Sequence, residues 1–153
     1  LRIFDINLRQ HFWSREIITE SLELAGVLKL NDEELPVVAG ALGLTGDASS
    51  LLRQLANRFD LKAVALTRGA KGSTLLAGGV IVSRPASAVT VADTVGAGDS
   101  YTAALALGLL AGASPEHILE RVVQLRASGA SAGAAKGGEK GKKGPRAATG
   151  ARA

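Results

Sequence analysis

Apolar and polar positions along residues 1–127 fall into blocks whose period switches between that of a strand and that of a helix. The run LRIFDI at 1–6 is short and mostly apolar, which predicts a buried strand. SREIITESLELA at 14–25 places Ile17, Ile18, Leu22 and Ala25 on one helical face, behind Ser14 as a cap. GVLKL at 26–30 predicts a second buried strand. NDEELPVVAGALG predicts a helix that opens at Asn31, with Pro36 an obstacle to it if the ring falls beyond the first turn. DASSLLRQLANRF at 47–59 predicts a helix capped by Asp47, and KAVALT at 62–67 another strand. STLLAG and VIVSR, separated near Gly78 and Gly79, predict a hairpin. Two further helices follow, one from SYTAALALGLLAG and one from SPEH, where Ser114 is the cap and Pro115 stands in the first turn. Alternation of this kind predicts an α/β fold, a layered and mostly parallel sheet with helices on its faces.

Composition narrows what such a layer can do. With 153 residues, 46% of them hydrophobic, and a mean hydropathy of +0.20, the chain can bury one sizeable core as a single soluble domain. Its apolar runs fall well short of the roughly 20 residues that a bilayer span requires. The first ten residues lack both the basic opening and the cleavage site of a signal peptide. Absence of cysteine excludes disulfides and thiolate metal sites, and His11 and His117 are too far apart in sequence to read as a ligand pair, so a cytoplasmic location is the default. The chain begins at Leu1, which suggests that it is cut from something longer.

The net charge of +4 belongs to the end of the chain. Residues 129–153 hold six Lys or Arg and one Glu, leaving 12 basic and 13 acidic groups in the rest. This Gly/Ala/Lys-rich tail, 128–153, has no apolar residue larger than Ala and is expected to be disordered. No aromatic residue interleaves with its lysines to stack on bases, so nucleic acid is not the expected partner.

The stretch DTVGAGDS at 93–100 sits just before a helical run. Small residues at such a junction let backbone amides converge, and a helix N-terminus adds partial positive charge; together they form an anion site. Asp99 beside it can accept a proton from a hydroxyl while the amides of 96–99 stabilise charge on a transferring phosphoryl group. The residues by themselves equally allow Asp99 to be the cap of a helix starting at Ser100.

DTVGAGDS resembles the C-terminal signature of the ribokinase-like (PfkB) carbohydrate kinases. Two more stretches resemble that family in the expected order: KLNDEE, with Asn31 and Glu34 in an N-x-x-E pattern, and LTRGAKGS, with Thr67, Gly69 and Gly72 in a T-x-G-x-x-G pattern. The resemblance implies Asp99 as catalytic base and Gly96, Ala97 and Gly98 as the anion hole. It also implies that Asn31 and Glu34 order magnesium and phosphate through water, and that the 67–72 loop contacts ATP. Each of these stretches has a local reading too. Asn31 to Glu34 is a capping box, with Leu30 and Leu35 as a hydrophobic staple, and Thr67 to Gly72 can be a β-turn.

FDINLRQHFW, with Asp5, Asn7, Arg9 and Trp13, is similar to the fructokinase and 2-keto-3-deoxygluconate kinase-like branch. Arg9 at a strand end can steady a phosphate or an acidic substrate, or can simply face solvent, and Trp13 reads as a packing residue. Asp93 matches a position that binds a monovalent cation such as K⁺ in some relatives; locally it is a turn-stabilising residue. The resemblance covers 1–127 and only the second half of such a kinase. What it implies is an ATP-dependent sugar kinase lacking most of its sugar pocket, or a nucleotide-binding remnant or interaction module without turnover. A half-sheet would also expose an apolar edge that favours self-association.

Overall fold

The computed structural model describes residues 1–10, 12–86 and 97–124. Asp93, Gly96, His11 and the basic tail lie outside the described residues. Among those described there are five strands, β1 (Ile3–Asp5), β2 (Val27–Asn31), β3 (Ala63–Thr67), β4 (Ser73–Ala77) and β5 (Val80–Arg84). Four helices, α1 (Arg15–Leu24), α2 (Glu34–Leu42), α3 (Ala48–Phe59) and α4 (Ala97–Leu110), are followed by α5, helical over 115–124.

One sheet runs in chain order β1-β2-β3-β4-β5. β1, β2 and β3 are parallel, with Asp5 opposite Lys29 and Asn31 opposite Thr67, whereas β4 and β5 each run antiparallel to the strand before them. Helix α1 makes the crossover from β1 to β2, and α2 and α3 that from β2 to β3. The carboxyl ends of the three parallel strands therefore share one edge, the edge at which open α/β sheets bind their ligands.

Side chains of β2 and β3 point alternately to the two faces and are buried on both. Leu28, Leu30, Val64 and Leu66 join Leu76 in packing on Ile18, Leu22, Leu35, Val38, Leu52 and Leu55 of α1 to α3. The opposite face presents Val27, Ala63, Ala65 and Leu75 to Tyr101, Ala104, Leu105, Ile118, Leu119 and Val122 of α4 and α5. Burying each leucine-sized side chain contributes about 1.5–3 kcal/mol, so the two layers supply most of the stabilisation.

Local chemistry sets the element ends. Ser14 Oγ accepts from the amide of Ile17 at 3.3 Å and Asp47 Oδ1 from that of Ser50 at 2.7 Å, while Gly43 and Asp60 close α2 and α3 with φ of 70° and 51°. Pro36 proves no obstacle. α2 starts at Glu34, so the ring occupies the first turn, where no amide is required. The strand expected at 1–6 is shorter, although the Ile6 amide still donates to the Lys29 carbonyl at 3.1 Å. Helix α1 departs from its expected face as well. Ile18, Leu22 and Ala25 are buried, but Ile17 is 51% exposed and lines a surface hollow with Leu8, Phe12 and Trp13. Trp13 packs against the α1–α3 core.

Helices α4 and α5 meet at Gly108, where a Cβ would stand 2.6 Å from Ile118 Cγ1. Gly108→Ala must push Ile118 out of its pocket. We expect a loss of about 1–3 kcal/mol, read by chemical denaturation, with α4 and α5 amides losing exchange protection before those of β2.

Candidate active site

Residues of the N-x-x-E pattern lie where β2 turns into α2. Asn31 Oδ1 accepts from the amides of Glu33 and Glu34 at 2.9 and 2.8 Å, and Glu34 Oε2 accepts from the Asn31 amide at 2.8 Å. The reciprocal box foreseen from sequence thus forms, and Leu30 and Leu35 are both buried in the same core. Sequence spacing did not disclose a third bond. Glu34 Oε1 accepts from the Leu8 amide, 26 residues away, at 3.1 Å. With 8% exposure, this carboxylate pins the loop after β1 to the turn after β2. Both of its oxygens hold a backbone N–H, which leaves only their remaining lone pairs for bound water.

A second polar group lies two residues earlier on β2. Lys29 Nζ donates to both carboxylate oxygens of Asp5 at 2.9 Å, and the Thr102 hydroxyl of α4 donates to Asp5 Oδ2 at the same distance. Neither Lys29 nor Thr102 was singled out in the sequence. A signal existed in charges placed within apolar strands, IFD and VLKLN, since a half-buried charge requires a partner.

Helix α4 has begun by Ala97, so Asp99 lies in its first turn. This corrects the alternative in which Asp99 caps a helix starting at Ser100. The carboxylate is exposed at the positive end of the helix, next to Gly98, where a Cβ would come to 3.5 Å from Lys29 Nζ. Ala97 contributes helical backbone; Gly96 and Asp93 lie outside the described residues.

The 67–72 connection is a single turn of 3-10 helix, Gly69–Lys71, rather than a simple β-turn, closed by the Arg68 amide donating to the Gly72 carbonyl at 2.8 Å. Gly72, with φ of 95°, sits where any Cβ would collide with the Arg84 carbonyl, so a steric reason for this glycine stands beside any contact with nucleotide. Thr67 is half-buried with its hydroxyl 3.5 Å from the Leu30 carbonyl, and its own carbonyl accepts from the Asp32 amide at 3.0 Å. Lys71 is exposed. Arg68 donates through Nη2 to Thr74, which shares a 2.8 Å hydrogen bond with Ser83.

Strand β2 links these groups. Asn31 lies beside Thr67 in the register, and Lys29, two residues earlier on the same strand, faces Asp5, Thr102 and Gly98. Arg9 stays apart: it is exposed, and Nε reaches Asn7 Oδ1 of its own loop at 3.4 Å, with Asn7 at φ 42°. Its neighbour Leu8 is the residue anchored to Glu34. Among the described residues no group of three His, Cys, Asp or Glu could cage a metal ion, and no helix is long and apolar enough to cross a membrane.

The sequence pattern of the pfkB family carbohydrate kinases matches residues 2–130. A fructokinase of Klebsiella pneumoniae is 32% identical over 120 residues, which are 75% of this chain and 38% of that protein. An aminoimidazole riboside kinase of Salmonella typhimurium is 34% identical over 142 residues, 88% of this chain and 43% of that protein. In structure, a nucleoside kinase of Burkholderia thailandensis in complex with inosine superimposes with a TM-score of 0.63 at 25% identity, over 75% of this chain and 36% of that one. A ribokinase of Thermotoga maritima, at 24% identity and a TM-score of 0.64 over 82% of this chain and 40% of that one, shares the fold. The chain therefore spans less than half the length of these relatives.

Glu34→Gln tests the double anchorage. Gln keeps one acceptor oxygen, so either the Leu8 or the Asn31 amide must face an NH₂ group. A loss of about 1–3 kcal/mol is expected in urea unfolding, where a capping box alone would tolerate the change. Wild-type stability in this variant would mean that the bond to Leu8 contributes nothing.

Proposed function

The chain belongs to the pfkB family of carbohydrate kinases, and from that membership we propose that it carries the phosphoryl-transfer end of an ATP-dependent kinase whose acceptor is a sugar hydroxyl, of the fructokinase and 2-keto-3-deoxygluconate kinase-like type. One observation supports this most. Asn31 and Thr67 end adjacent parallel strands, and Lys29 of the same β2 strand is paired with Asp5, to which Thr102 of α4, the helix that bears Asp99, also donates. The described residues of three motifs from separate parts of the sequence thereby lie toward the edge at which open α/β sheets bind ligands, which supports the reading.

Asp99 accepts the proton of the acceptor hydroxyl as its oxygen bonds to the γ-phosphorus, and the bond from that phosphorus to the bridging oxygen of ADP breaks. The amides of Ala97 and Gly98, at the positive end of α4, stabilise the charge that develops on the transferring group, with Gly96 joining them on the sequence resemblance alone. The 67–72 loop lies against the nucleotide, and Arg9 steadies phosphate or acidic substrate after a small change of its loop. Magnesium, when bound, would supply positive charge to offset that of the phosphates. The donor set here fits an ion that arrives with ATP and keeps most of its water, because Glu34 can offer hydrogen-bond acceptance to such water and no described cluster could cage the metal. The K⁺ role of Asp93 rests on the sequence resemblance alone.

The relatives range from fructokinase to aminoimidazole riboside kinase, so the hydroxyl acceptor spans sugars and sugar-containing nucleosides. A second reading is a nucleotide-binding segment without turnover, since Asn31 and Thr67 reach the strand-end edge whether or not an acceptor is held there.

In a kinase of full family length carrying this segment, Asp99→Asn is expected to cut sugar-dependent ADP release by about 10²–10⁴-fold and to leave ATP affinity nearly unchanged. Retained turnover removes Asp99 as the base. The 153-residue chain alone is expected to bind magnesium–ATP in calorimetric titration and to release no ADP with fructose, ribose or 2-keto-3-deoxygluconate. No binding would overturn both readings, and sugar-dependent turnover abolished by Asp99→Asn would show the chain to be a minimal kinase.

A further inference from the structure

The half-buried cluster of Asp5, Lys29 and Thr102 has no part in the chemistry above, yet it touches the residue beside Asp99. Asp5 and Lys29 stand directly opposite each other in the β1–β2 register. Both lie on the face covered by α4, and their side chains are 30% and 12% exposed. The Lys29 ammonium spends two of its three hydrogens on the Asp5 carboxylate and lies 3.5 Å from where a Cβ on Gly98 would be. Thr102 Oγ1 lies 2.9 Å from Asp5 Oδ2 and 3.0 Å from the Gly98 carbonyl. Its single proton serves one acceptor at a time, and the charged carboxylate is the stronger.

Docking of α4 does not depend on this cluster, because Tyr101, Ala104 and Leu105 are at most 2% exposed and secure the helix to the sheet. Apolar burial is non-directional, however, and leaves a helix free to slide or rotate slightly on its bed. A first turn, with its amides unpaired, is also the part most prone to fray. A charge-assisted bond from Thr102 to a strand-end carboxylate removes that freedom. Lys29 neutralises Asp5, so that the carboxylate ending β1 adds little repulsion toward an incoming phosphate.

We propose that Asp5, Lys29 and Thr102 are positioning residues: they set the first turn of α4, and with it the Gly98 amide and the Asp99 carboxylate, in register with the strand ends that carry Asn31 and Thr67. The inference rests on the reading of that turn as the phosphoryl-transfer site, and it adds the device that holds it there.

The test uses the 153-residue chain with Thr102→Val, Thr102→Ser and Asp5→Asn, read by amide exchange, thermal melting and titration with ATP and magnesium. Thr102→Val removes the hydroxyl and keeps the shape. Its melting transition and the protection of β2 and β3 should stay as in the wild type, while amides of 101–103 exchange roughly tenfold faster and magnesium–ATP binds several-fold more weakly. Thr102→Ser should restore both, and Asp5→Asn should reproduce the local loss. Wild-type exchange at 101–103 in Thr102→Val, or a loss that Ser does not rescue, overturns the proposal. Failure of the site reading looks different: the wild-type chain then binds no ATP, and the exchange arm still decides whether the cluster holds the turn.

Discussion

The small residues on one face of β3 are the constraint on which the rest of this structure depends. Ala63 and Ala65 are fully buried beneath α4 and α5, while Val64 and Leu66 point to the opposite, larger-residue face. A helix axis packs at a distance set by the side chains between it and its neighbour. Leucines at 63 and 65 would lift α4 away from the sheet, and Thr102 could no longer reach Asp5 at 2.9 Å. Gly108 extends the same economy of volume to the contact with α5. The chemistry assigned to the strand-end edge is therefore a consequence of alanine and glycine placed some distance from it.

Polar groups near that edge follow the rule that buried hydrogen-bonding capacity is satisfied. Glu34 holds two amides from different loops, and Asp5 holds an ammonium and a hydroxyl from different elements. Neither carboxylate sits in the first turn of α4. Asp99 does, and it is exposed. Glu34 and Asp5 are thus committed to structure by their surroundings, whereas the Asp99 carboxylate faces solvent. Among the described residues no strand lies beyond β1.

Much of the fold was legible because its rules are local. Period-2 and period-3.6 blocks located the strands and helices to within a few residues. Ser14, Asp47 and the Asn31–Glu34 box cap their helices from within the same four residues. Asn31 and Thr67 of two motifs end adjacent parallel strands, and Asp99 of the third lies in the first turn of α4. Departures occurred where a neighbour distant in sequence decides. Ile17 belongs to the apolar face of α1 by periodicity, but at the side of the sheet with no described strand beyond β1 it remains half in water. The 67–72 loop tightens into a 3-10 turn under the close approach of Arg84 to Gly72.

By itself, then, the sequence determined the order of elements, the apolar faces, the caps and the family pattern, because each depends on residues within a turn or on a repeating period. Tertiary structure alone decided that Glu34 would reach back 26 residues to Leu8, that Asp5 would find Lys29 at a separation of 24 and Thr102 at 97, and that Asp99 would stand inside its helix rather than before it. Hydrogen bonds and ion pairs across such separations carry no signature in local composition. They exist only once apolar burial has brought strands and helices into register, and the geometry of that register is a property of the packed layers rather than of any one segment.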